Sequence, residues 1–321
     1  MLIVFIFGEF MNKSYDYISI LGPTGSGKSD VAVKLANYMP IEIISADSVS
    51  VYRKLDIGSA KPSLEDRGLV PHHLIDVCSL SETYTVGQFI SDAKDLIETI
   101  KAKGKMPVFC GGTMMYMSAL KKGYQMPKLS ARVAKELEYK LATEGIAGLY
   151  ERLVKIDATM AARLHPNDKQ RIMRALAVKI DTGKSLSEYW DNADHPYRSK
   201  DFVIKVNCRD THRLRIAKRV DLMIANGLEK ECAEILSNEH DISHPALRSI
   251  GYKEMIEHLT KNNMSNNVKE RMCIATSQLV KRQMTWLNAW NNDEMLLIDL
   301  YDSDQRMVNV LQTIIHDLGL S

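Results

Sequence analysis

The stretch Gly22-Pro23-Thr24-Gly25-Ser26-Gly27-Lys28-Ser29 decides the fold of this chain. It matches the pattern G-x-x-x-x-G-K-S/T, follows the apolar run 17–21 and precedes a helical pattern. A strand, such a loop and a helix form a P-loop, whose backbone N–H groups and helix N-terminus hold phosphate oxygens. We therefore expect all eight residues to bind a diphosphate, with Lys28 on the phosphates and the Ser29 hydroxyl as a Mg²⁺ ligand. P-loops serve kinases, motor ATPases, switches and transferases, so this motif leaves the reaction open.

Composition predicts a globular protein with one large or two modest domains. The chain has 321 residues, of which 45% are hydrophobic and 26% charged, and its net charge is +2. These values are ordinary, and the net charge alone indicates no nucleic-acid partner. Five scattered cysteines without a C-x-x-C pair favour a reducing cytoplasm over a zinc site or disulfides. The apolar start is too short for a signal peptide or membrane span, so we expect no membrane partner and place residues 1–11 outside the fold.

Strand-like and helical patterns alternate in the first third of the chain. The predicted elements are, in order, strand 17–21, helix 28–38, strand 41–45, helix 86–102 and strand 106–110. This alternation is typical of βαβ units in a parallel sheet. Ligands of such sheets lie outside the carboxyl ends of the strands, so the loops 22–28, 46–53 and 111–114 should share one cleft.

The pattern then changes to helices alone between residues 118 and 202. The later predicted elements are helices 130–143, 145–155, 157–164 and 168–182, strand 202–208, helix 211–237, an irregular segment 238–250, helix 267–289, strand 294–299 and helix 304–317. The fold class we predict is α/β, a P-loop NTPase-like parallel sheet flanked by helices, with an all-helical insertion domain. Residues 12–117 and 203–321 would form the P-loop core, and residues 118–202 the helical insertion.

Further motifs follow the P-loop in order along the chain. They are Ile44-Ser-Ala-Asp47-Ser48-Val-Ser-Val-Tyr52, Asp56-Ile-Gly-Ser-Ala-Lys61-Pro62, Pro71-His72-His73-Leu-Ile-Asp76, Gly111-Gly112-Thr113-Met-Met-Tyr116, Arg163-Leu-His-Pro-Asn167-Asp168-Lys-Gln170-Arg171, Arg248-Ser-Ile-Gly251-Tyr252-Lys253 and Gln278-Leu-Val-Lys281-Arg282-Gln-Met-Thr-Trp286. The ordered set resembles the tRNA dimethylallyltransferase (tRNA isopentenyltransferase) family of the bacterial type. The resemblance implies a tRNA modification enzyme, a transferase that moves a dimethylallyl group from dimethylallyl diphosphate to N6 of the adenine 3′ of the anticodon, position 37, in tRNAs that read codons beginning with U. The implied partners are the tRNA anticodon stem-loop and dimethylallyl diphosphate, and we expect a monomer.

Two side chains near the P-loop suit prenyl transfer. The Asp47 carboxylate could hydrogen-bond the adenine N6 amine and take its proton as the C–N bond forms. A helix N-cap or an indirect Mg²⁺ partner is the alternative for Asp47. The resemblance gives Thr113 a catalytic role beside the bridging oxygen of the diphosphate, whereas its place after a Gly-Gly turn favours an N-cap.

The resemblance also implies that the insertion 118–202 binds the tRNA anticodon stem, and it implies a set of tRNA contacts. The expected residues are Asp47, Ser48, Val49, Ser50, Arg132, Gln170, Arg171, Arg174, Arg248, Gly251, Tyr252, Lys253, Lys281 and Arg282. Arg171 and Arg174 share one helix face at i, i+3, which suits RNA phosphates, although a solvated charged face is the alternative. Single-stranded loops suit such a cleft because their bases can be splayed out and read.

Three alternative functions use the same P-loop. A kinase of a small metabolite would consume ATP, and an adenylate isopentenyltransferase would modify a free nucleotide. An RNA-binding ATPase or switch would bind phosphate only to change its conformation. The helical insertion and the basic pair Lys281-Arg282 favour an RNA substrate over these alternatives. ATP is not required by the P-loop, because here the diphosphate would be the leaving group.

Overall fold

The computed structural model describes residues 15–127, 129–191, 197–206, 208–238, 242–260, 267–290, 295–300 and 306–320. The predicted extension 1–11 lies outside these residues. By its internal contacts the chain divides into two compact units. The first, here the P-loop unit, takes its described residues from Met1–Thr85, Ser91–Met117 and Tyr197–Ser321, and the second, here the insertion unit, from Val86–Ile90 and Ser118–Pro196.

A six-stranded sheet forms the centre of the P-loop unit, in the strand order β3-β2-β4-β1-β5-β6. The strands are β1 (Tyr17–Leu21), β2 (Ile41–Ala46), β3 (His72–His73), β4 (Met106–Gly111), β5 (Ser199–Val206) and β6 (Met295–Leu300). Every pair among these described strands is parallel. All residues of β1, β2 and β4 are buried, which is expected where helices cover both faces of a parallel sheet. The predicted α/β fold with a parallel P-loop sheet is confirmed.

Helices follow each of the described strands of the sheet, at least one after every strand. Along the described chain they are α1 (Lys28–Leu35), α2 (Leu64–Leu69), α3 (Val86–Ala102), α4 (Met114–Lys121), α5 (Ala131–Ile156), α6 (Ala158–Ala161), α7 (Lys169–Thr182), α8 (Leu186–Asp191), α9 (Arg209–Ala225), α10 (Leu228–Ser237), α11 (Tyr252–Thr260), α12 (Val268–Asn288) and α13 (Arg306–Asp317), with a 3₁₀ turn at Pro245–Arg248. In the part of the chain that the structure describes, none of these helices combines the length and apolarity that crossing a bilayer requires.

Several element boundaries differ from the sequence prediction. The predicted helix 211–237 is two helices, α9 and α10, because Gly227 has a φ of 97° that a right-handed helix excludes. The two predicted helices 130–143 and 145–155 form one assigned element, α5, with a kink at Gly145, whose φ is 68°. Helices α2, α8 and α11 lie where no helix was predicted.

Strand β5 begins at Ser199 rather than at residue 202, because buried polar groups there are satisfied. Asp201 is buried at the centre of the sheet and accepts hydrogen bonds from Ser19 Oγ and Trp290 Nε1, the latter at 3.0 Å. An acidic residue inside a strand is tolerated only with such partners. Because its first residues are polar, the hydrophobic pattern does not predict the start of this strand.

Each of the two units is built around apolar cores of its own, two in the P-loop unit and one in the insertion unit among the described residues. In the P-loop unit, α1 and α13 pack on the sheet through residues such as Val31, Leu35 and Ile314. A second core lies among the 49–57 loop and helices α9 to α12, with Tyr252 at its centre. The insertion unit has its own core formed by α5 to α8, which includes Leu149. Each unit therefore has the buried apolar area that a folded domain needs.

Candidate active site

A cavity in the P-loop unit lies at the carboxyl ends of β1, β2 and β4. Its lining includes Thr24, Gly25, Lys28, Ser29, Asp47, Ser50, Lys61, Gly111 and Arg219. A neighbouring pocket is lined by Thr24, Asp47, Val49, Arg219 and Gly251, among others. The structure thus brings the P-loop, the loop after β2 and the end of β4 to one place, which is where open α/β sheets bind ligands.

The P-loop has the backbone conformation that phosphate binding requires. Gly25 and Gly27 have φ values of 81° and 83°, which favour glycine, and α1 begins directly afterwards at Lys28. The first N–H groups of a helix lack partners within the helix, and the helix dipole is positive at this end. Pro23 O accepts from Ser26 N–H at 3.1 Å and from Lys28 Nζ at 3.4 Å, which folds the loop back on itself.

Two cations are enclosed beside this loop. Burial lowers the pKa of Lys28, and nearby Arg219 lowers it further, while Cys110 and Asp47 oppose that shift. Burial also lowers the pKa of Arg219, and Asp47 again opposes the shift. Two desolvated positive charges close together destabilise each other unless an anion accompanies them. The electrostatics of the cavity therefore favour a multiply charged anion.

Asp47 follows β2 and holds its own loop in place. Its Oδ1 accepts from Val49 N–H at 2.8 Å and from Ser50 N–H at 3.1 Å. Both main-chain bonds go to the same oxygen, so Oδ2 is the oxygen that can meet a substrate amine. The sequence alternative of a helix N-cap does not apply, since residues 47–50 form a turn and not a helix start.

Thr113 contacts the Asp47 loop. Its Oγ1 accepts from Ser48 N–H at 3.1 Å and lies 3.4 Å from Ser48 Oγ, and its N–H donates to Ala46 O at 3.1 Å. Gly111 lies opposite Ala46 in the β2–β4 pairing. A Cβ at Gly111 would lie 2.2 Å from Ala46 O, so only glycine fits here. The two predicted catalytic residues, Asp47 and Thr113, therefore sit on adjoining loops.

Two charged side chains that the sequence reasoning missed hold the segment 52–62 beside the cavity. The Lys61 side chain is only 2% exposed, and its Nζ donates to Tyr52 O at 2.7 Å and to the carboxylates of Asp56 and Asp76 at 2.5 and 2.6 Å. Glu231 accepts from three successive N–H groups, those of residues 56 to 58, at 3.0, 2.9 and 3.2 Å. The sequence pattern does not predict this role of Glu231, because its hydrogen-bond partners are distant in sequence.

The structure corrects one predicted tRNA contact. The side chain of Tyr252 is fully buried, its hydroxyl donates to Glu231 Oε1 at 2.6 Å, and its ring fills the space beside Gly58. Tyr252 therefore supports the 56–58 segment from inside and does not present its ring to RNA. The neighbouring Gly251 lines the pocket beside Asp47, with a φ of 96°.

Most of the remaining predicted tRNA residues lie on the surface of their unit. Arg248, Lys253, Lys281 and Arg282 are exposed in the P-loop unit, and Arg132, Gln170 and Arg171 are exposed in the insertion unit. Arg171 pairs with Asp168 on its own helix at 2.5 Å. Arg174 is half-buried, donates to Pro127 O at 3.1 Å, and has its pKa lowered by burial.

A Mg²⁺ ion would depend on the bound substrate for most of its ligands. Among the described residues, no group of three or more His, Cys, Asp or Glu side chains is placed to hold a metal. Ser29 and Asp47, which both carry oxygen donors, line the same cavity. Mg²⁺ commonly takes one or two protein oxygens and completes its shell with phosphate oxygens and water. The donor set therefore fits a Mg²⁺ that arrives with a diphosphate.

Comparison with known proteins identifies the family. A family model described as IPP transferase matches residues 50–290, and one described as Isopentenyl transferase matches residues 16–82. A tRNA dimethylallyltransferase of Coxiella burnetii is 38% identical over 310 residues, which cover 95% of this chain and 99% of that protein. The chain belongs to the tRNA dimethylallyltransferase family. It is therefore a transferase that prenylates tRNA, as the sequence predicted, and the alternatives that act on free nucleotides are not favoured.

Solved structures agree with this assignment. The full-length tRNA isopentenylpyrophosphate transferase of Bacillus halodurans has a TM-score of 0.68 and 32% identity, covering 94% of this chain and 96% of that one. A eukaryotic dimethylallyltransferase acting on tRNA has a TM-score of 0.79 and 28% identity, covering 93% of this chain and 77% of that one. The fold is thus shared along nearly the whole length of this tRNA dimethylallyltransferase family member.

Proposed function

We propose that this tRNA prenyltransferase takes its dimethylallyl group from dimethylallyl diphosphate and transfers it to N6 of adenine 37. The P-loop binds the diphosphate, and Asp47 receives the adenine amine. The observation that carries this proposal is one cavity whose lining combines Lys28, Ser29 and Arg219 with the carboxylate of Asp47. An anion grip and an acceptor for an amine proton are the two requirements of the reaction.

The cations act on the leaving group. As the N6–C1 bond forms, the C1–O bond to the diphosphate breaks, and the electron pair leaves with the diphosphate. Lys28 and Arg219 stabilise the growing negative charge, and their partial burial strengthens the effect. A bound Mg²⁺, held by Ser29 and phosphate oxygens, would add Lewis-acid stabilisation of the same oxygens.

Asp47 acts on the adenine amine, and Thr113 acts on the oxygen that links the dimethylallyl group to the diphosphate. Oδ2 of Asp47 accepts a hydrogen bond from the N6 amine and takes its proton once the new C–N bond exists. Oδ1 stays bound to its own loop and keeps the carboxylate in one orientation. The Thr113 hydroxyl accepts from Ser48 N–H and donates to Ser48 Oγ over a long 3.4 Å. With substrate bound, it donates instead to the bridging oxygen of the diphosphate.

The tRNA partner is the anticodon stem-loop, in tRNAs that read codons beginning with U. The target adenine must leave its stack to reach a cavity at the end of a sheet, and an unpaired loop base does so at low cost. Exposed cations support phosphate contacts, namely Arg171 in the insertion unit and Arg248, Lys253, Lys281 and Arg282 in the P-loop unit.

Five free cysteines, of which Cys208 is exposed, support a reducing cytoplasm as the compartment of the enzyme. We expect the enzyme to act as a monomer.

The test is transfer of labelled dimethylallyl diphosphate, with magnesium, to unmodified tRNA that carries adenine 3′ of the anticodon. ATP hydrolysis and labelling of AMP are measured beside it. Label in tRNA alone, lost when the target adenine is replaced by guanine, supports the proposal. Label in AMP, or none in tRNA, refutes the proposed donor and acceptor.

A further inference from the structure

Both main-chain groups of Thr24, at the crest of the P-loop, are held by side chains from outside the loop. Thr24 N–H donates to Gln283 Oε1 at 2.9 Å, and His212 Nε2 donates to Thr24 O at 2.9 Å. Gln283 belongs to α12 and His212 to α9, and the two residues are only 7% and 3% exposed. We propose that Gln283 and His212 are positioning residues that fix the P-loop crest for the diphosphate. This inference rests on the diphosphate site proposed above.

The two contacts fix the peptide planes on both sides of Thr24. Because a peptide is planar, holding one N–H and the next C=O leaves little freedom in the φ and ψ of the residue between them. In a trans peptide the C=O and N–H point in opposite directions. Holding Thr24 O toward His212 therefore turns the N–H of Gly25 away from α9, and Gly25 lines the P-loop cavity. Holding Thr24 N–H toward Gln283 directs Pro23 O to Ser26 N–H and Lys28 Nζ.

Gln283 also holds the turn that precedes Thr113. Its Nε2 donates to Gly112 O at 3.0 Å, while Thr113 N–H, on the other side of the same peptide, donates to Ala46 O. A Cβ at Gly112 would lie 2.5 Å from Gln283 Nε2, so the close approach depends on glycine. One amide group thus joins the diphosphate loop to the loop that carries Thr113. Only a side chain with both a donor and an acceptor at this reach satisfies both contacts.

The protonation of His212 follows from its partner. A carbonyl oxygen can only accept, so Nε2 carries the proton, and the buried Nδ1 has no hydrogen-bond partner among the described residues. Burial lowers the pKa of His212, and the positive charges of Arg215 and Lys28 lower it further, while the bond to Thr24 opposes the shift. The neutral imidazole is therefore the form that holds Thr24.

Substitutions that keep or remove each contact test the inference. His212→Gln keeps a donor at about the Nε2 position, whereas His212→Leu removes it, and Gln283→Met removes donor and acceptor at similar length. Gln312→Met, on the exposed face of α13, is the matched control for the last change. Each variant is assayed for kcat, for KM of dimethylallyl diphosphate and of tRNA, for binding of inorganic diphosphate by calorimetry, and for thermal unfolding.

The inference expects weaker binding of the diphosphate and unchanged binding of tRNA. His212→Leu and Gln283→Met should each weaken diphosphate binding and raise the KM of dimethylallyl diphosphate by about tenfold, with the KM of tRNA unchanged. Gln283→Met should also lower kcat, whereas His212→Gln and Gln312→Met should resemble the wild type. Normal diphosphate binding in folded His212→Leu and Gln283→Met overturns the inference while leaving the proposed function intact. If those two variants fail to fold, a tenfold loss in His212→Gln overturns it and normal binding supports it. A wild type that binds no diphosphate refutes the proposed function itself.

Discussion

Replacing Gly111 by alanine tests how closely the end of β4 must approach β2 for catalysis. The new Cβ would lie 2.2 Å from Ala46 O, 2.5 Å from Ala46 C and 2.8 Å from Ala46 Cα. Since ordinary carbon contacts lie near 3.5 Å, the two strand ends must separate by about 1 Å. The clash is with backbone and not with a flexible side chain, so rotamer changes cannot relieve it. Overpacking of this kind costs about 1–3 kcal/mol of folding free energy.

The separation should reduce activity as well as stability. Ala46 immediately precedes Asp47, and its carbonyl accepts the N–H of Thr113, so moving it shifts both candidate catalytic residues. A misplacement of about 1 Å can cost on the order of 10²-fold in rate. We expect Gly111→Ala to lower kcat by about that factor, with tRNA affinity retained. The assay is steady-state prenyl transfer beside urea unfolding.

Gly68→Ala is the matched control for this change. Gly68 lies in helix α2, and a Cβ there would meet nothing within 4 Å. Alanine should stabilise that helix by about 0.5–1 kcal/mol and leave transfer unchanged. If Gly111→Ala turned over as fast as Gly68→Ala, the close approach of β2 and β4 would not position the catalytic residues, and the reasoning would be refuted.

Four further substitutions test separate parts of the structure. Asp47→Asn keeps an oxygen for the N–H groups of Val49 and Ser50 but loses the base. The rate constant of single-turnover transfer should therefore fall by about 10²–10⁴-fold, with unchanged tRNA affinity by filter binding. Full activity would exclude the base role. Lys28→Met should raise the Kd of dimethylallyl diphosphate, measured by calorimetry, by about tenfold or more, and equal affinity would argue against the P-loop site. Arg171→Ala should weaken tRNA binding and reduce the slope of log Kd against log salt by about 0.7–0.9, and an unchanged slope would mean no phosphate contact. Burial raises the pKa of Glu42, but hydrogen bonds from Lys105, His73 and Lys103 bring it down to about 2, so its stabilisation is present above the ordinary value of 4.5 and lost as pH falls toward 2. Glu42→Gln should therefore remove about 3 kcal/mol at pH 7 and about half of that or less at pH 3, and equal losses in urea unfolding at both pH values would contradict this.

The sequence predicts the strand, loop and helix of the P-loop because their signals are local. A strand, a glycine loop and a helix lie within twenty residues, and Asp47 and Thr113 follow buried strands whose carboxyl ends must meet. The burial of Tyr252 is not predicted by the sequence, since the motif that contains it also contains the exposed residues Arg248 and Lys253. A short motif does not separate a side chain that faces solvent from one that faces the core.

Contacts between distant elements are the part that the sequence could not predict. Gln283 did carry a usable signal, because α12 buries Met272, Thr276, Val280 and Leu287 on the same face. A glutamine on that stripe must find hydrogen-bond partners inside the protein. Which partners it finds depends on where α12 packs, and that information is tertiary. His212 gives the same lesson, since its partner is 188 residues away.

The cavity brings several cations close to one carboxylate, and these cations differ in how far they are neutralised. Lys61 lines the cavity, but two aspartates and a carbonyl engage its ammonium, so it adds little net positive charge. Lys28 and Arg219 have no comparable ion pair among the described residues, and the carboxylate near them, Asp47, already gives one oxygen to its own loop. The cavity therefore combines the positive charge of Lys28 and Arg219 with the Asp47 carboxylate, whose Oδ1 is the oxygen engaged by its own loop. This combination suits a donor whose leaving group is an anion and an acceptor that must give up a proton.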